Sequence, residues 1–320
     1  MKVNQTLNAV MRGMWFLDAQ FVVQSAPHVV SLLSGNGFTA GSRDGESQRD
    51  PQAGFTDVFD AQGNLTKLSL AFDDIPKGSS VRVKMQGPII KYGDACTYGA
   101  DEIVAALYAA SRNQNVASII LEVDSPGGSV NAIGPFLEFA ANNTKPVIAL
   151  VDQCCSLGYW AAAAVADKIY VDNPVSAVIG SIGVQISFMD AIPYYEDQGY
   201  KHHHITPPES KDKNSVFKEV LEGNYDRIKK EMLSPLAILF QDAVKAARPN
   251  LIQEDGVLNG KTYMYEDAMR LGLIDGITTA TELAKSAATR NVAREIRSAL
   301  SDNRSAQLKE VRRLVSAIQS

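Results

Sequence analysis

A pattern that occurs twice between residues 116 and 171 constrains this chain most: an almost uninterrupted apolar strand, a turn of small residues, and a helix. Val116 to Val123 is the first strand. The turn Asp124-Ser125-Pro126-Gly127-Gly128-Ser129 and a helix to about Asn142 follow it. Pro146 to Val151 is the second strand, followed by a turn through Cys154, Cys155 and Ser156, an alanine-rich helix over Tyr159–Ala166 and a strand over Lys168–Val171. A strand that is apolar on both faces must be covered on both, which a parallel sheet with crossover helices achieves. Right-handed crossovers are then the default. Upstream, Val81, Val83 and Met85 alternate with Arg82 and Lys84 as in a strand. Asp101 to Ser111 predicts a helix, with Ile103, Val104, Leu107 and Tyr108 at helical spacing. The expected class is α/β.

The flanks read differently. Residues 35–66 are polar and turn-rich, with a short strand expected near Leu65–Leu70. Apolar spacing predicts helix from Phe217 to Ala247, broken at Pro235. Residues 280–320 are charged and helical, with Leu308, Val311, Leu314, Val315 and Ile318 forming one apolar stripe suited to docking or self-association. The expected organisation is an N-terminal helical arm and mobile connector over 1–75, a core over 76–280 and a charged helical tail over 281–320. Met14–Leu33 is the one stretch to consider for membrane insertion, but Asp18, Gln20, Gln24, Pro27 and His28 interrupt it. Asp18 alone would cost roughly 2.5–3.5 kcal/mol near a bilayer centre. A helical or hairpin segment that packs on the core or a partner is expected there instead, with no membrane anchor.

Charge narrows the function classes. The net charge is 31 − 36 = −5, and binding a nucleic-acid backbone needs a clustered excess of cations. Three cysteines (Cys96, Cys154 and Cys155) cannot pair completely, which favours a reducing compartment such as the cytoplasm.

The two turns carry the candidate chemistry. Gly127-Gly128 at a helix start can be a plain tight turn, or can aim unpaired N–H groups at an anion or a developing oxyanion. Ser156 at the start of the next helix can be an N-cap or, given a base, a nucleophile. The histidines are His28 and the run His202-His203-His204, which reads as a solvated loop better than as a metal patch. A lysine base must lose its proton, so burial or nearby cations must lower its pKa from about 10.4. Lys211, between a loop and a helix, is a candidate that periodicity cannot promote.

Several motifs in order do promote it. Asp124–Ser129, Lys145-Pro146-Val147-Ile148-Ala149, Ser156-Leu157-Gly158-Tyr159-Trp160, Ala166–Ile169, Gly180-Ser181-Ile182-Gly183-Val184, Lys211-Asp212 and Ala268–Asp275 together resemble serine peptidase family 49, the group of signal peptide peptidase A and phage protein C. The likeness runs from about Ser80 to Ile277. It implies a crotonase/Clp-protease-like fold of repeated ββα units and a Ser–Lys dyad that needs no cofactor and no metal. By position, the resemblance makes Ser156 the nucleophile, Lys211 the general base, and Ser181 the residue that orients the lysine. Gly128 and Leu157 would supply oxyanion N–H groups. Ser156 would attack a peptide carbonyl to form an acyl-enzyme, which water activated by Lys211 would hydrolyse. Relatives favour small or apolar residues near the cleaved bond, so an apolar groove near Leu157 and Val130 is expected.

The sequence departs from that pattern where Cys155 precedes and Leu157 follows Ser156; the family usually has Ala-Ser-Gly-Gly there. The soluble size and the helical arm are more similar to the phage and prophage branch, whose members mature capsid precursors. A polypeptide substrate, a homo-oligomer, and capsid or scaffold proteins are the implied partners. Two other readings stay open: an acyl-CoA enzyme of crotonase type, and a non-catalytic assembly protein on the same fold.

Overall fold

The first strand read from the sequence is the centre of a parallel sheet. The computed structural model describes residues 14–17, 56–67, 75–93, 98–188, 190, 192–288, 309, 310, 312, 313 and 316. The sheet strands are β1 (Met14–Leu17), β2 (Thr56–Phe59), β3 (Leu65–Lys67), β4 (Ser79–Gln86), β5 (Val116–Ser125), β6 (Gly127–Ser129), β7 (Val147–Cys155), β8 (Lys168–Val171), β9 (Val178–Gly180), β10 (Gln185–Ile186), β11 (Thr262–Tyr263) and β12 (Gly276–Ile277). The larger sheet runs β11-β9-β7-β5-β4-β2-β3, with β8 beside β7 and β12 beside β8. β4, β5, β7 and β8 are parallel, as the crossover pattern requires.

The crossover helices are α1 (Ala100–Arg112), α2 (Ile133–Asn142) and α3 (Leu157–Val165). Ile103, Val104 and Leu107 of α1 are buried, and so are Phe136, Leu137 and Phe139 of α2. They join Val81, Val83, Leu121 and Val151 of the sheet in one core. The α/β class expected from the sequence is the one observed.

The N-terminal reading needs correction. Where a helical arm and a mobile connector are expected over residues 1–75, the described residues include strands at 14–17, 56–59 and 65–67. β2 pairs antiparallel with β4, so the main sheet begins inside the segment read as a connector. Its sequence, Thr-Asp-Val-Phe, looks polar, yet Asp57 is 1% exposed and pairs with Arg82 and Lys84 of β4, the latter at 3.1 Å. A cross-strand partner 25 residues away neutralises a side chain that local reading assigns to solvent.

The break in the 217–247 region also moves. Helix α4 (Ile192–Asp197) precedes it, α5 (Ser215–Leu221) stops at Gly223 with φ +84°, and helix resumes from Asp226. A π-helical turn (Lys229–Leu233) leads into α6 (Ser234–Ala247), where Pro235 sits in the first turn and needs no N–H partner. α7 (Tyr265–Arg270) and α8 (Ala280–Ala288) complete the described core. Leu308, Val311, Leu314, Val315 and Ile318 lie outside the described residues, as does Cys96. No helix among the described residues is long and apolar enough to cross a membrane.

The C-terminal part is tied to the sheet by Asp275. It accepts from Arg248 at 2.7 Å, from Lys168 at 2.9 Å and from the Ile169 N–H at 2.8 Å. Burial alone would raise the Asp275 carboxyl pKa. The Arg248 hydrogen bond and charge, with Ile169 and Lys168, outweigh burial and hold it below the usual value. A depressed carboxylate contributes stability that is complete above its unfolded pKa and is lost as pH falls through the folded one. Asp275→Asn should therefore cost about 3 kcal/mol at pH 7. It should also remove part of the stability loss the wild type shows on acidification below about pH 4. Urea denaturation of both proteins across that range measures this; equal acid slopes would refute it.

Candidate active site

β5 and β7 are neighbours and parallel, so their carboxyl ends open at the same edge of the sheet, where open α/β sheets bind ligands. Ser125 is in register with Cys154, which sets the glycine turn beside the serine turn. β7 changes partner along its length. Ile148–Val151 pair with β8, and Gln153–Cys155 pair with β9. This switch carries Ser156 onto the end of β9, where its N–H donates to Gly180 O at 2.8 Å.

Ser156 has φ 53° and ψ −118° and is 1% exposed. Such a backbone costs a non-glycine residue about 1–3 kcal/mol, and strain of this kind gathers at functional sites. Its hydroxyl donates to Gly183 O at 3.3 Å. Leu157 is the first residue of α3, so its N–H has no partner within the helix. Tyr159 of the same helix donates its hydroxyl to Leu273 O at 2.7 Å, and Trp160 stacks on Phe240 with ring centroids 4.8 Å apart. Both contacts fix the start of the helix. A Cβ on Gly158 would lie 3.3 Å from the Ser125 Cβ, so the helix packs directly on the glycine turn.

The strand β6 contains Gly128. Ile89 N–H donates to Gly127 O, and Ser129 N–H donates to Ile89 O, each at 2.8 Å. Successive residues of a strand direct their N–H and C=O to alternate edges. Gly128 therefore turns its own N–H away from Ile89, toward the opposite edge of β6. A Cβ at Gly128 would stand 2.0 Å from the Ile89 carbonyl oxygen, a contact no backbone shift of a few tenths of an ångström relieves. Glycine is required at 128 by this close approach.

Ser181 follows β9 with φ 53°, is 8% exposed, and donates its N–H to Lys261 O at 2.9 Å. Ser156, Leu157, Gly128 and the Gly180–Gly183 segment are thus brought into one region. Lys211 is not brought into their buried company: it follows a helical turn (Pro208–Ser210) and is exposed, as are His202, His203 and His204. Phe188, Tyr194, Tyr195, Tyr200, Ile205 and Tyr225 of the surrounding segment are exposed too. A cleft of about 400 Å³ at the end of β10 is lined by Ile186, Phe188, Val220, Leu221 and Tyr225 together with Ser187, Asp190 and Gly223.

Cys154 and Cys155 are buried. Burial, then the neighbouring Cys155, pushes the Cys154 thiol well above its ordinary pKa, and Cys155 Sγ lies 3.4 Å from Val178 O. Neither has the electropositive, accessible setting a reactive thiolate needs. Among the described residues no group of three or more His, Cys, Asp or Glu side chains is arranged to hold a metal. The Gly183 carbonyl and the bridge from Ile89 to Gly128 were missed by sequence reasoning. Both act through backbone atoms, for which side-chain identity carries no signal.

Residues 140–294 match the sequence model of peptidase family S49. The chain is 27% identical over 256 residues to protease 4 of Haemophilus influenzae, covering 73% of this chain and 38% of that protein. It is 36% identical over 94 residues to the head-tail preconnector protein GP5 of Enterobacteria phage P21, covering 28% of this chain and 18% of that one. It spans between 18% and 56% of the length of the curated relatives it matches. Among solved structures, the 1510-N membrane protease specific for a stomatin homolog from Pyrococcus horikoshii superposes with a TM-score of 0.36 at 18% identity, covering 64% of this chain and 76% of that one.

Proposed function

We propose, from the match of residues 140–294 to the sequence model of peptidase family S49, that the chain is a serine endopeptidase in which Ser156 is the nucleophile and Lys211 the general base. The observation that carries this reading is the backbone of Ser156: a buried serine held at φ 53° between a strand and a helix, its hydroxyl aimed along Gly183. A serine that served only as a helix cap would have extended backbone angles and would bond the N–H groups of its own helix; Ser156 does neither.

In the proposed reaction a peptide carbonyl enters with its oxygen toward the N–H groups of Gly128 and Leu157. Ser156 Oγ bonds to the carbonyl carbon and gives its proton to the neutral Lys211 amine. The amine returns the proton to the leaving nitrogen as the C–N bond breaks, leaving an acyl-enzyme. Lys211 then takes a proton from water, the resulting hydroxide displaces Ser156 from the acyl carbon, and the serine is reprotonated. Each oxyanion donor is worth about 2.7–4 kcal/mol in such sites. Ser181 would orient the lysine amine.

Lys211 is exposed in the single chain, and a lysine must leave water to serve as a base. We therefore place the working site in an assembly, where a second copy covers the apolar surface around Phe188, Tyr195 and Tyr225. Exposed apolar patches of this kind mark interfaces. A phage head precursor is the finer substrate proposal, motivated by the likeness to the phage P21 protein.

A fluorophosphonate probe tests the nucleophile. It should label the wild type at Ser156, located by mass spectrometry of the digested protein. Label found on Cys154 or Cys155 would move the chemistry to a thiol.

A further inference from the structure

We infer that the peptide groove of this chain lies between β6 and β10, accepts an extended peptide as an added strand, and is filled by the chain's own segment Met14–Leu17.

Three observations carry this. β1 pairs antiparallel with β6, placing Trp15, Phe16 and Leu17 opposite Ser129, Gly128 and Gly127. Its other edge pairs antiparallel with β10, placing Met14 and Trp15 opposite Ile186 and Gln185. β1 is therefore the middle strand of a separate three-stranded sheet, β10-β1-β6. Both outer strands are walls of the candidate active site. β6 contains Gly128, and β10 starts two residues after Gly183, whose carbonyl accepts the Ser156 hydroxyl.

The pairing uses the same atoms that catalysis would use. Ile89 occupies the far edge of β6 through Gly127 and Ser129, so the Gly128 N–H and C=O face β1, and Phe16 is their partner by register. In an antiparallel pair of that kind the two residues exchange both hydrogen bonds. An N–H given to Phe16 is not given to the carbonyl of another peptide. Strands of three and two residues are too short to persist as a sheet alone, and an inserted peptide supplies main-chain bonds to both at once. Met14–Leu17 is thus a competitor in cis for any peptide that enters the groove.

Tethering makes even a weak occupant effective. Thirty-eight residues separate Leu17 from Thr56 in the sequence. A covalent tether of that length keeps the effective concentration high, up to roughly millimolar. The identification of this groove with a substrate site rests on the peptidase reading; the strand pairing does not.

The test uses the full chain. A fluorescein-labelled decapeptide with the sequence of residues 11–20 is titrated into Ser156→Ala and into Ser156→Ala/Phe16→Pro. Proline at 16 removes the N–H that faces Gly128 and cannot hold a central strand position. The second protein should bind the probe about tenfold more tightly or better, because its internal competitor is weakened. Equal affinity, or no binding by either protein, overturns the inference. Hydrogen exchange on Ser156→Ala alone avoids dependence on the proline variant. The Phe16 amide should be protected and should lose protection when excess probe is added; exchange at the free-peptide rate from the start overturns the inference. The two readings fail separately. A chain with Ser156 intact that cleaves no peptide, while the tenfold gain in binding is seen, sinks the peptidase and leaves the groove. Hydrolysis that depends on Ser156 but, like probe binding, is indifferent to Phe16→Pro does the reverse.

Discussion

Replacing Ser156 should abolish peptide hydrolysis, by about 10⁴-fold or more, and the choice of replacement should separate function from stability. Alanine removes the hydroxyl but keeps a Cβ on a backbone at φ 53° and ψ −118°. Glycine removes both, and glycine adopts such angles freely. The strain of about 1–3 kcal/mol is partly offset by the greater freedom of glycine in the unfolded chain. Ser156→Gly should then be more stable than Ser156→Ala by about 1 kcal/mol. The hydroxyl contact with Gly183 is lost in both, so the difference isolates the backbone. Urea midpoints and a peptide hydrolysis assay measure the two consequences. Retained hydrolysis in either variant removes Ser156 from the nucleophile role. A glycine variant less stable than the alanine one removes the strain.

Lys211→Ala should be as inactive as Ser156→Ala, and mixing the two inactive proteins should restore hydrolysis. The reason is electrostatic. An exposed lysine amine is neutral in only about one molecule in 2,500 at pH 7, so a base built from it needs a dry environment. Lys211 is exposed, and Phe188, Tyr195, Ile205 and Tyr225 of the same stretch of sequence lie open in the single chain. If a neighbouring copy covers this surface and each site takes its serine from one copy and its lysine from the next, random 1:1 mixing leaves about a quarter of the sites intact. Lys211→Arg should stay inactive alone, because a guanidinium does not give up its proton. Mixed variants that remain dead after verified subunit exchange would put serine and base in the same chain. A fully active Lys211→Ala would dismiss the lysine altogether.

The strands and helices around the site were legible because their signals are local. Val116–Val123 is apolar at nearly every position, which only a strand buried on both faces tolerates. The turns at Gly127-Gly128 and Ser156 stood out because each follows such a run and opens a helix. The break near residue 223 was not legible against the more obvious Pro235. A proline in the first turn of a helix costs nothing there, whereas Gly223 at φ +84° ends one. β2 was hidden by Asp57, whose charge is met by Arg82 and Lys84 only once the sheet forms.

What the sequence determined by itself was the order of elements and the residue types at two turns, since hydrophobic period and glycine freedom depend on neighbours a few positions away. Tertiary structure alone decided the strained angle of Ser156, the approach of Ile89 that makes Gly128 obligatory, the exposure of Lys211, and the entry of Met14–Leu17 between β6 and β10. Each depends on backbone groups from distant segments meeting edge to edge. Every residue carries the same N–H and C=O, so no side-chain pattern announces which edges will meet.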